Sequence, residues 1–402
     1  MLVTAILRRA GIKVNPVREL APGIKSRARM EKMRPAASRG TFSNGVNGNN
    51  PWDITVHDSR FYREVLTRGS LGLGESYMNG WWDCPNLDEF FSRVLSANLD
   101  RYSWFNPIEL LRYAKRVLFN QASAKHAFVI AKAHYDLGND LYQGMLDKRL
   151  TYTCAYWREG VTTLDAAQEA KLDLVCRKLN LKPGQRVLDI GCGWGSFAKF
   201  AAERYKVSVV GITVAREQVE LGRQLCQGLP VELRLQDYRG LSGQFDHIVS
   251  LGMFEHVEPK NYPEYFRVAA HCLKPGGLFL LHTIGVEKGK STTDPWIRKY
   301  IFPVGTIPSR PEINGGIRNI FQVLDWHDFA GLHYDRTLMA WYENFMKNWP
   351  ALTNNYALRE DGHFKRMWEY YLLSCAGSFR AGKNSVFQIV LAPGMRAYQP
   401  VR

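Results

Sequence analysis

The sequence contains no Cys-x-x-Cys pair, and its seven cysteines, at positions 84, 154, 176, 192, 226, 272 and 375, are scattered and odd in number. That pattern argues against both a disulfide framework and a zinc site, so no metal is expected, and unpaired thiols fit a reducing cytoplasm. Long apolar runs are missing too. The longest, such as Gly277 to Val286, fall far short of the ~18 to 20 residues that cross a bilayer, so no membrane-spanning segment is expected. In Met1 to Ala10 the arginines follow the apolar stretch instead of preceding it, unlike a cleaved secretory signal. Acidic residues are in short supply: 38 Asp and Glu face 53 Lys and Arg, a net charge of +15. The first fifty residues hold ten of those cations and only Glu19 and Glu31, and so carry +8. An excess of this kind suits an acidic partner, either anionic lipid or nucleic acid.

Apolar material is ample, at 46% of 402 residues, which is enough for two domains or one large domain with an appendage. Residues 1–50 read as a basic, partly disordered segment ending in a flexible linker over 30–50, where Pro, Ser and Asn-Gly pairs replace apolar periodicity. Folded structure is expected to start near Pro51. From 51 to about 130, Phe61, Val65 and Leu66 and then Leu87, Phe90, Phe91, Val94 and Leu95 are spaced for one buried helix face, giving a small α-helical domain. Its Trp81 and Trp82 read as core residues in preference to lipid-facing ones.

Residues 131–402 are expected to form an α/β domain. Short β-rich runs alternate with helical segments beyond Leu181, the sign of a parallel sheet with helices on both faces. Strands are expected at Arg186 to Ile190, Val207 to Ile212, Val231 to Leu235, Phe245 to Ser250, Gly277 to His282 and Val386 to Leu391, the last after a helix over Phe364 to Ser378. Between the fifth strand and that helix, residues 285–349 are rich in Trp, Tyr and Pro and read as a helical lid insertion over the sheet's carboxyl edge.

The strongest motif is Val187-Leu188-Asp189-Ile190-Gly191-Cys192-Gly193-Trp194-Gly195, a buried strand, an acid near its end and three alternate glycines before a helix. Glycines allow a sharp turn and a close ligand approach, and the helix start directs free N–H groups at the ligand. A dinucleotide fingerprint would instead read G-x-G-x-x-G. The motif resembles motif I of class I methyltransferases, which places the methionine part of S-adenosyl-L-methionine over the glycines with Asp189 near its amino group. After the second strand come Thr213 and Gln218, where many methyltransferases carry an acid for the ribose; both offer neutral hydrogen bonds to the sugar. After the third, Gln236, Asp237 and Tyr238 stand where that class binds adenine.

Two further strand ends carry Glu255 and His282, an acid and a base that converge beside the cofactor, since ligands bind outside the carboxyl ends of such sheets. With Tyr152-Thr153-Cys154-Ala155-Tyr156-Trp157, His134-Tyr135-Asp136-Leu137-Gly138-Asn139-Asp140, Gly69 to Tyr77, Asp325-Trp326-His327 and Cys375 to Arg380, these residues resemble the cyclopropane-fatty-acyl-phospholipid synthase family. The resemblance covers all but the first fifty residues and the extreme C-terminus. It implies transfer of a methylene from S-adenosyl-L-methionine to a cis double bond of a phospholipid acyl chain. The resulting carbocation loses a proton to a bound bicarbonate ion as the ring closes. It also implies that Tyr152 and Thr153 join the cofactor site, and that bicarbonate is held by Glu255, His282 and Tyr334 with backbone groups at Cys154 and Ile284. A carboxylate repels such an anion unless the two share a proton, so coupled protonation is expected at Glu255. Cys375 is the position the family labels catalytic. Its helical flanks offer nothing to lower a thiol pKa, and it reads better as a small core residue.

The partners implied are the surface of a phospholipid bilayer carrying unsaturated chains and a second copy of the chain in a homodimer, with no nucleic acid. The enzyme is expected in the cytoplasm, peripheral to the inner face of the membrane. Trp81, Trp82, Phe90, Phe91 and the run Trp296 to Phe302 read as candidate membrane-docking residues or as plain packing. Relatives on the same scaffold methylate mycolic acids, oleoyl chains or amine nitrogen, which leaves a methyl-branched product as the alternative. A noncatalytic nucleic-acid- or membrane-binding protein, suggested by charge alone, does not account for the cofactor motifs.

Overall fold

The computed structural model describes residues 2–16, 50–99, 138–289, 293–356 and 363–402. His134 to Leu137, the helical pattern beyond residue 100 and nearly all of the expected linker lie outside them. The chain begins with helix α1 (Leu2–Arg8) and strand β1 (Val14–Pro16), followed by β2 (Ile54–Val56), α2 (Arg60–Met78), β3 (Trp82–Asp83) and α3 (Leu87–Ser96). Beyond these come α4 (Asn139–Met145), α5 (Leu164–Lys178), β4 (Arg186–Ile190), α6 (Ser196–Tyr205), β5 (Ser208–Thr213), α7 (Arg216–Leu225) and β6 (Val231–Leu235). The chain continues through β7 (Phe245–Leu251), α8 (Tyr262–Cys272), β8 (Leu273–Gly285), α9 (Pro295–Tyr300) and α10 (Arg310–Ile317), and ends with β9 (Gln322–Asp328), α11 (Leu332–Tyr356), α12 (Phe364–Arg380) and β10 (Ser385–Ala392).

Seven strands form one sheet in the order β6-β5-β4-β7-β8-β10-β9. The first five are parallel, whereas β10 runs antiparallel to both its neighbours. Parallel strands covered on both faces are continuous apolar runs, and so β4 (RVLDI) and β7 (FDHIVSL) are almost wholly buried. One face packs on α8 and α10 through Tyr265, Phe266 and Ile313, the other on α5 and α6 through Leu172, Val175, Phe197 and Ala201. Because the five strands are parallel, their carboxyl ends meet along one edge.

The structure departs from the sequence expectation at three places. Residues 2–16 are folded: Val3, Leu7 and Ile12 are buried, β1 pairs with β2, and the Asp53 carboxylate accepts the N–H of Lys13 and Asn50, each at 2.7 Å. A composition averaged over fifty residues hides this short apolar i, i+4 pair. The N-terminal elements include a three-stranded sheet and have no core of their own among the described residues. Phe61, Trp82, Phe90 and Phe91 belong to one apolar cluster with Trp296, Trp341 and Tyr370 of the later chain. Arg366 of α12 clasps this layer by donating to the carbonyls of Tyr77 and Trp82 and to the Asp83 carboxylate at 2.8 Å. Finally, the expected lid insertion contains β9, an edge strand whose charged residues mask its alternation.

Trp82, Phe90, Phe91 and Trp296 are packing residues and do not face a bilayer. Gly74 explains the last of them, since the Trp296 indole lies where any β-carbon on α2 would stand. Trp81 is half-buried, with the Arg60 guanidinium 4.3 Å from its ring.

Candidate active site

A cleft opens along the carboxyl edge of β4, β5, β6 and β7. Among the expected cofactor residues it is lined by Tyr152, Thr153, Asp189, Ile190, Gly191, Cys192, Gly193, Trp194, Thr213, Gln218, Gln236, Asp237 and Tyr238. Val187, Leu188 and Gly195 do not reach it. The first two point into the cores on opposite sheet faces, as alternate residues of a strand must, and Gly195 is the left-handed residue (φ 81°) that starts α6. The glycine turn is required by space as well as by dihedral: Gly191 has φ 87°, and a β-carbon there would collide with the Met253 side chain.

Polar groups in the cleft are partly committed to one another. Thr213 Oγ1 donates to Gln218 Oε1 at 2.9 Å, and the Asp237 carboxylate accepts from the Arg239 backbone and guanidinium. Trp194 Nε1 donates to Asn139 Oδ1 at 2.8 Å, which ties the glycine turn to the start of α4. The residues 151–153 are splinted by Gln168, whose amide donates to the carbonyls of Thr151 and Thr153.

One cleft residue was not legible as functional: Lys171. It is fully buried on α5, and its Nζ donates to Thr153 Oγ1 at 2.9 Å. Burial lowers the ammonium pKa to about 8, against the pull of Asp147 and Asp189. Burial likewise raises Asp189 to about 7, against the pull of Lys171, and the carboxylate's Oδ1 has no hydrogen-bond partner. Its only sequence signal is a charge on the face that also carries Leu164, Ala167, Leu174 and Val175.

Beyond the cleft lies a second group of side chains. Burial pushes the Tyr334 hydroxyl well above its ordinary value, and its electrostatic neighbours are Cys154, Tyr152, Glu255 and Cys375, so the structure brings these residues together. Glu255 Oε1 accepts the Ile284 N–H at 2.7 Å while Oε2 is buried without a partner, and burial raises the carboxyl to about 7. The Ile284 N–H, at one of the two positions whose backbone groups the resemblance assigns to the anion, is thus bonded to Glu255. His282, 2% exposed, is held well below its usual pKa by burial and by the positive Lys171 and Lys178. Cys154 and Cys375 are free thiols that burial keeps protonated, Cys375 with a pKa of about 12. Aromatic rings wall the group: Tyr334 lies 4.6 Å from Phe379 and 5.9 Å from Trp341, and the Tyr152 hydroxyl bonds that of Tyr371 at 2.8 Å.

This strand order, with a glycine turn and an acid at the head of a carboxyl-edge cleft, is that of a class I S-adenosylmethionine-dependent methyltransferase, and the chain is such an enzyme. Comparison with known proteins narrows the class. The model of the mycolic acid cyclopropane synthetase family matches residues 122–389, and the chain belongs to that family. It is 52% identical over 350 residues to the cyclopropane-fatty-acyl-phospholipid synthase of Escherichia coli (strain K12), covering 87% of this chain and 90% of that one. Cyclopropane mycolic acid synthase 3 of Mycobacterium tuberculosis (strain ATCC 25618 / H37Rv) is 35% identical over 278 residues, 65% of this chain and 95% of that one. Among solved structures, mycolic acid cyclopropane synthase CmaA1 complexed with SAH and CTAB superposes with a TM-score of 0.60 at 33% identity, over 66% of this chain and 97% of that one.

Proposed function

We propose that the enzyme transfers a methylene from S-adenosyl-L-methionine to the cis double bond of an unsaturated acyl chain in a membrane phospholipid, closing a cyclopropane ring. The observation that carries this reading is the group around Tyr334: four titratable side chains beside the cofactor cleft, all pushed toward their uncharged forms and enclosed by aromatic rings. An alkene is a weak nucleophile and reacts only when held in line with the methyl donor away from water. The faces of Tyr334, Trp341 and Phe379 stabilise a carbocation by ~0.5 to 2 kcal/mol per contact without trapping it.

Bound S-adenosyl-L-methionine supplies the electrophilic methyl, and bound bicarbonate a base that accepts the departing proton. The donor set fits a small anion that also carries a hydroxyl. Glu255 Oε2 is a buried acceptor in need of a donor, and Tyr334 and His282 offer donors. Asp189, with Oδ1 free, suits the cofactor's amino group, and Thr213 and Gln218 its ribose. Because the Glu255 carboxyl stands at about 7, it holds or releases a proton within the working range, which removes its repulsion of an anion.

We place the enzyme in the cytoplasm, as a homodimer at the inner face of the membrane. No helix among the described residues is long and apolar enough to cross a bilayer, and the net charge of +15 favours anionic lipid. The test is incubation with unsaturated phospholipid vesicles and methyl-labelled S-adenosylmethionine. Labelled cyclopropane chains support the reading; a methyl-branched chain makes the enzyme a fatty-acid methyltransferase instead, and no transfer to lipid refutes both.

A further inference from the structure

Three residues stand in register across the sheet behind the reaction pocket. Gln388 of β10 pairs with His282 of β8 on one side and His327 of β9 on the other. Directly paired residues project to the same face, so the three side chains form a row. Gln388 is fully buried, and its amide Nε2 lies 3.3 Å from His282 Nδ1. At the far end of the row, His327 Nδ1 lies 3.0 Å from the Lys178 ammonium. Lys178 is itself 3.8 Å from Asp325, and Arg402 binds Asp325 through both terminal guanidinium nitrogens, at 2.6 and 2.7 Å.

A neutral imidazole has one N–H and one lone pair, and the partner of one nitrogen decides the role of the other. His282 is neutral, because burial and the positive Lys171 and Lys178 oppose a second proton. An amide NH2 can only donate, so Nδ1 facing it must accept. Arg402 on the β9 side, with Lys178 beside it when protonated, since burial lowers that ammonium to about 7, favours the amide dipole with its NH2 toward His282 and its oxygen toward the cations. Oε1 is buried with no hydrogen-bond partner.

We infer that Gln388 is a positioning residue that fixes His282 in the Nε2–H tautomer, so that the imidazole presents a donor to the reaction pocket and cannot serve as its base. This rests on the proposed placement of His282 at the anion site. It adds a division of labour: His282 holds, and the departing proton goes elsewhere.

The experiment is long-range proton–nitrogen NMR of the enzyme labelled with nitrogen-15 histidine, with the His282 signal assigned by its loss in His282→Gln. The wild type is expected to show Nε2 protonated and Nδ1 bare. Gln388→Glu puts an acceptor in place of the donor and should move the proton to Nδ1. kcat should then fall about tenfold, the lower end of what a partner orienting a functional histidine carries, while KM for S-adenosylmethionine stays unchanged. Gln388→Met, which removes the donor without adding an acceptor, should give a mixture of tautomers and a smaller loss. A wild-type His282 protonated on Nδ1, or a tautomer unmoved in both variants, overturns the inference, as does a shifted tautomer with unchanged kcat. The spectrum reads the tautomer whatever the enzyme's product, so a failed product assay with an Nε2–H spectrum defeats the proposed reaction and leaves the tautomer assignment standing.

Discussion

Lys171→Met isolates the electrostatics of the cofactor cleft. The substitution nearly conserves volume, and Gln168 still holds the 151–153 segment through two carbonyls, so the loss is chiefly that of a buried charge. Asp189 stands at about 7 with Lys171 in place. Against an ordinary value of 3.8, that rise equals about 4 kcal/mol disfavouring its ionised form. A nearby cation lowers a carboxyl pKa by ~1 to 3, so the variant should carry Asp189 one or two pH units higher. At pH 7 the ionised fraction would drop from about half to ~1–9%, weakening capture of the cofactor's amino group about 5- to 50-fold. At pH 9 the carboxyl ionises in both proteins, and Lys171, at about 8, has itself lost most of its charge, so the two should differ by about twofold or less. Titration calorimetry with S-adenosylhomocysteine at both pH values measures this without involving lipid. A variant-to-wild-type affinity ratio that is the same at pH 7 and pH 9 would refute the reasoning.

Thr337→Val removes the hydroxyl that accepts the Ala155 N–H and the Trp157 indole N–H, at 3.1 and 3.0 Å, and leaves both donors unsatisfied. Urea unfolding should show a loss of ~2 to 4 kcal/mol. Gly191→Ala, which drives a β-carbon into Met253 at a positive φ, should weaken S-adenosylhomocysteine binding by more than about tenfold, roughly 1.4 kcal/mol, and lower the melting temperature through about 1 to 3 kcal/mol of backbone strain. Cys375→Ser should keep most of the turnover, because a thiol at about 12 is no nucleophile at neutral pH. Asp189→Asn bears on stability. The folded state holds a proton on Asp189 between roughly pH 4 and 7 that the unfolded chain has released, so stability falls as pH rises through that window, and the variant should flatten the fall in denaturant midpoints.

What the sequence revealed was whatever the sheet dictates. Strands buried on both faces must be continuous apolar runs, and the glycine turn and acids that close them fall at one edge because the strands are parallel, so Asp189, Gln236, Glu255 and His282 could be placed before any coordinates. Lys171 could not, because a charge on the buried face of α5 has meaning only once the strand end opposite it is known. β9 escaped for another reason: as an edge strand it carries Asp325, His327 and Asp328, whose pairing with β10 and with Arg402 is long-range. Trp296 looked as well suited to lipid as to packing until Gly74, more than two hundred residues earlier, supplied its socket.

The shared core has a bearing on how lipid docking can be studied. Trp82, Phe90 and Phe91 sit in the same cluster as Trp341, which touches the rings of Tyr152 and Tyr334, and Arg366 and Arg380 fasten the N-terminal layer to α12. Cutting that layer away to ask whether it anchors the enzyme would unroof the reaction pocket, and a dead truncate would say nothing about anchoring. The informative experiment works on the outside of the intact molecule, by reversing Arg63 on the outer surface of α2, which among the described residues pairs only with Glu64, so that charge changes without a ring losing its neighbour.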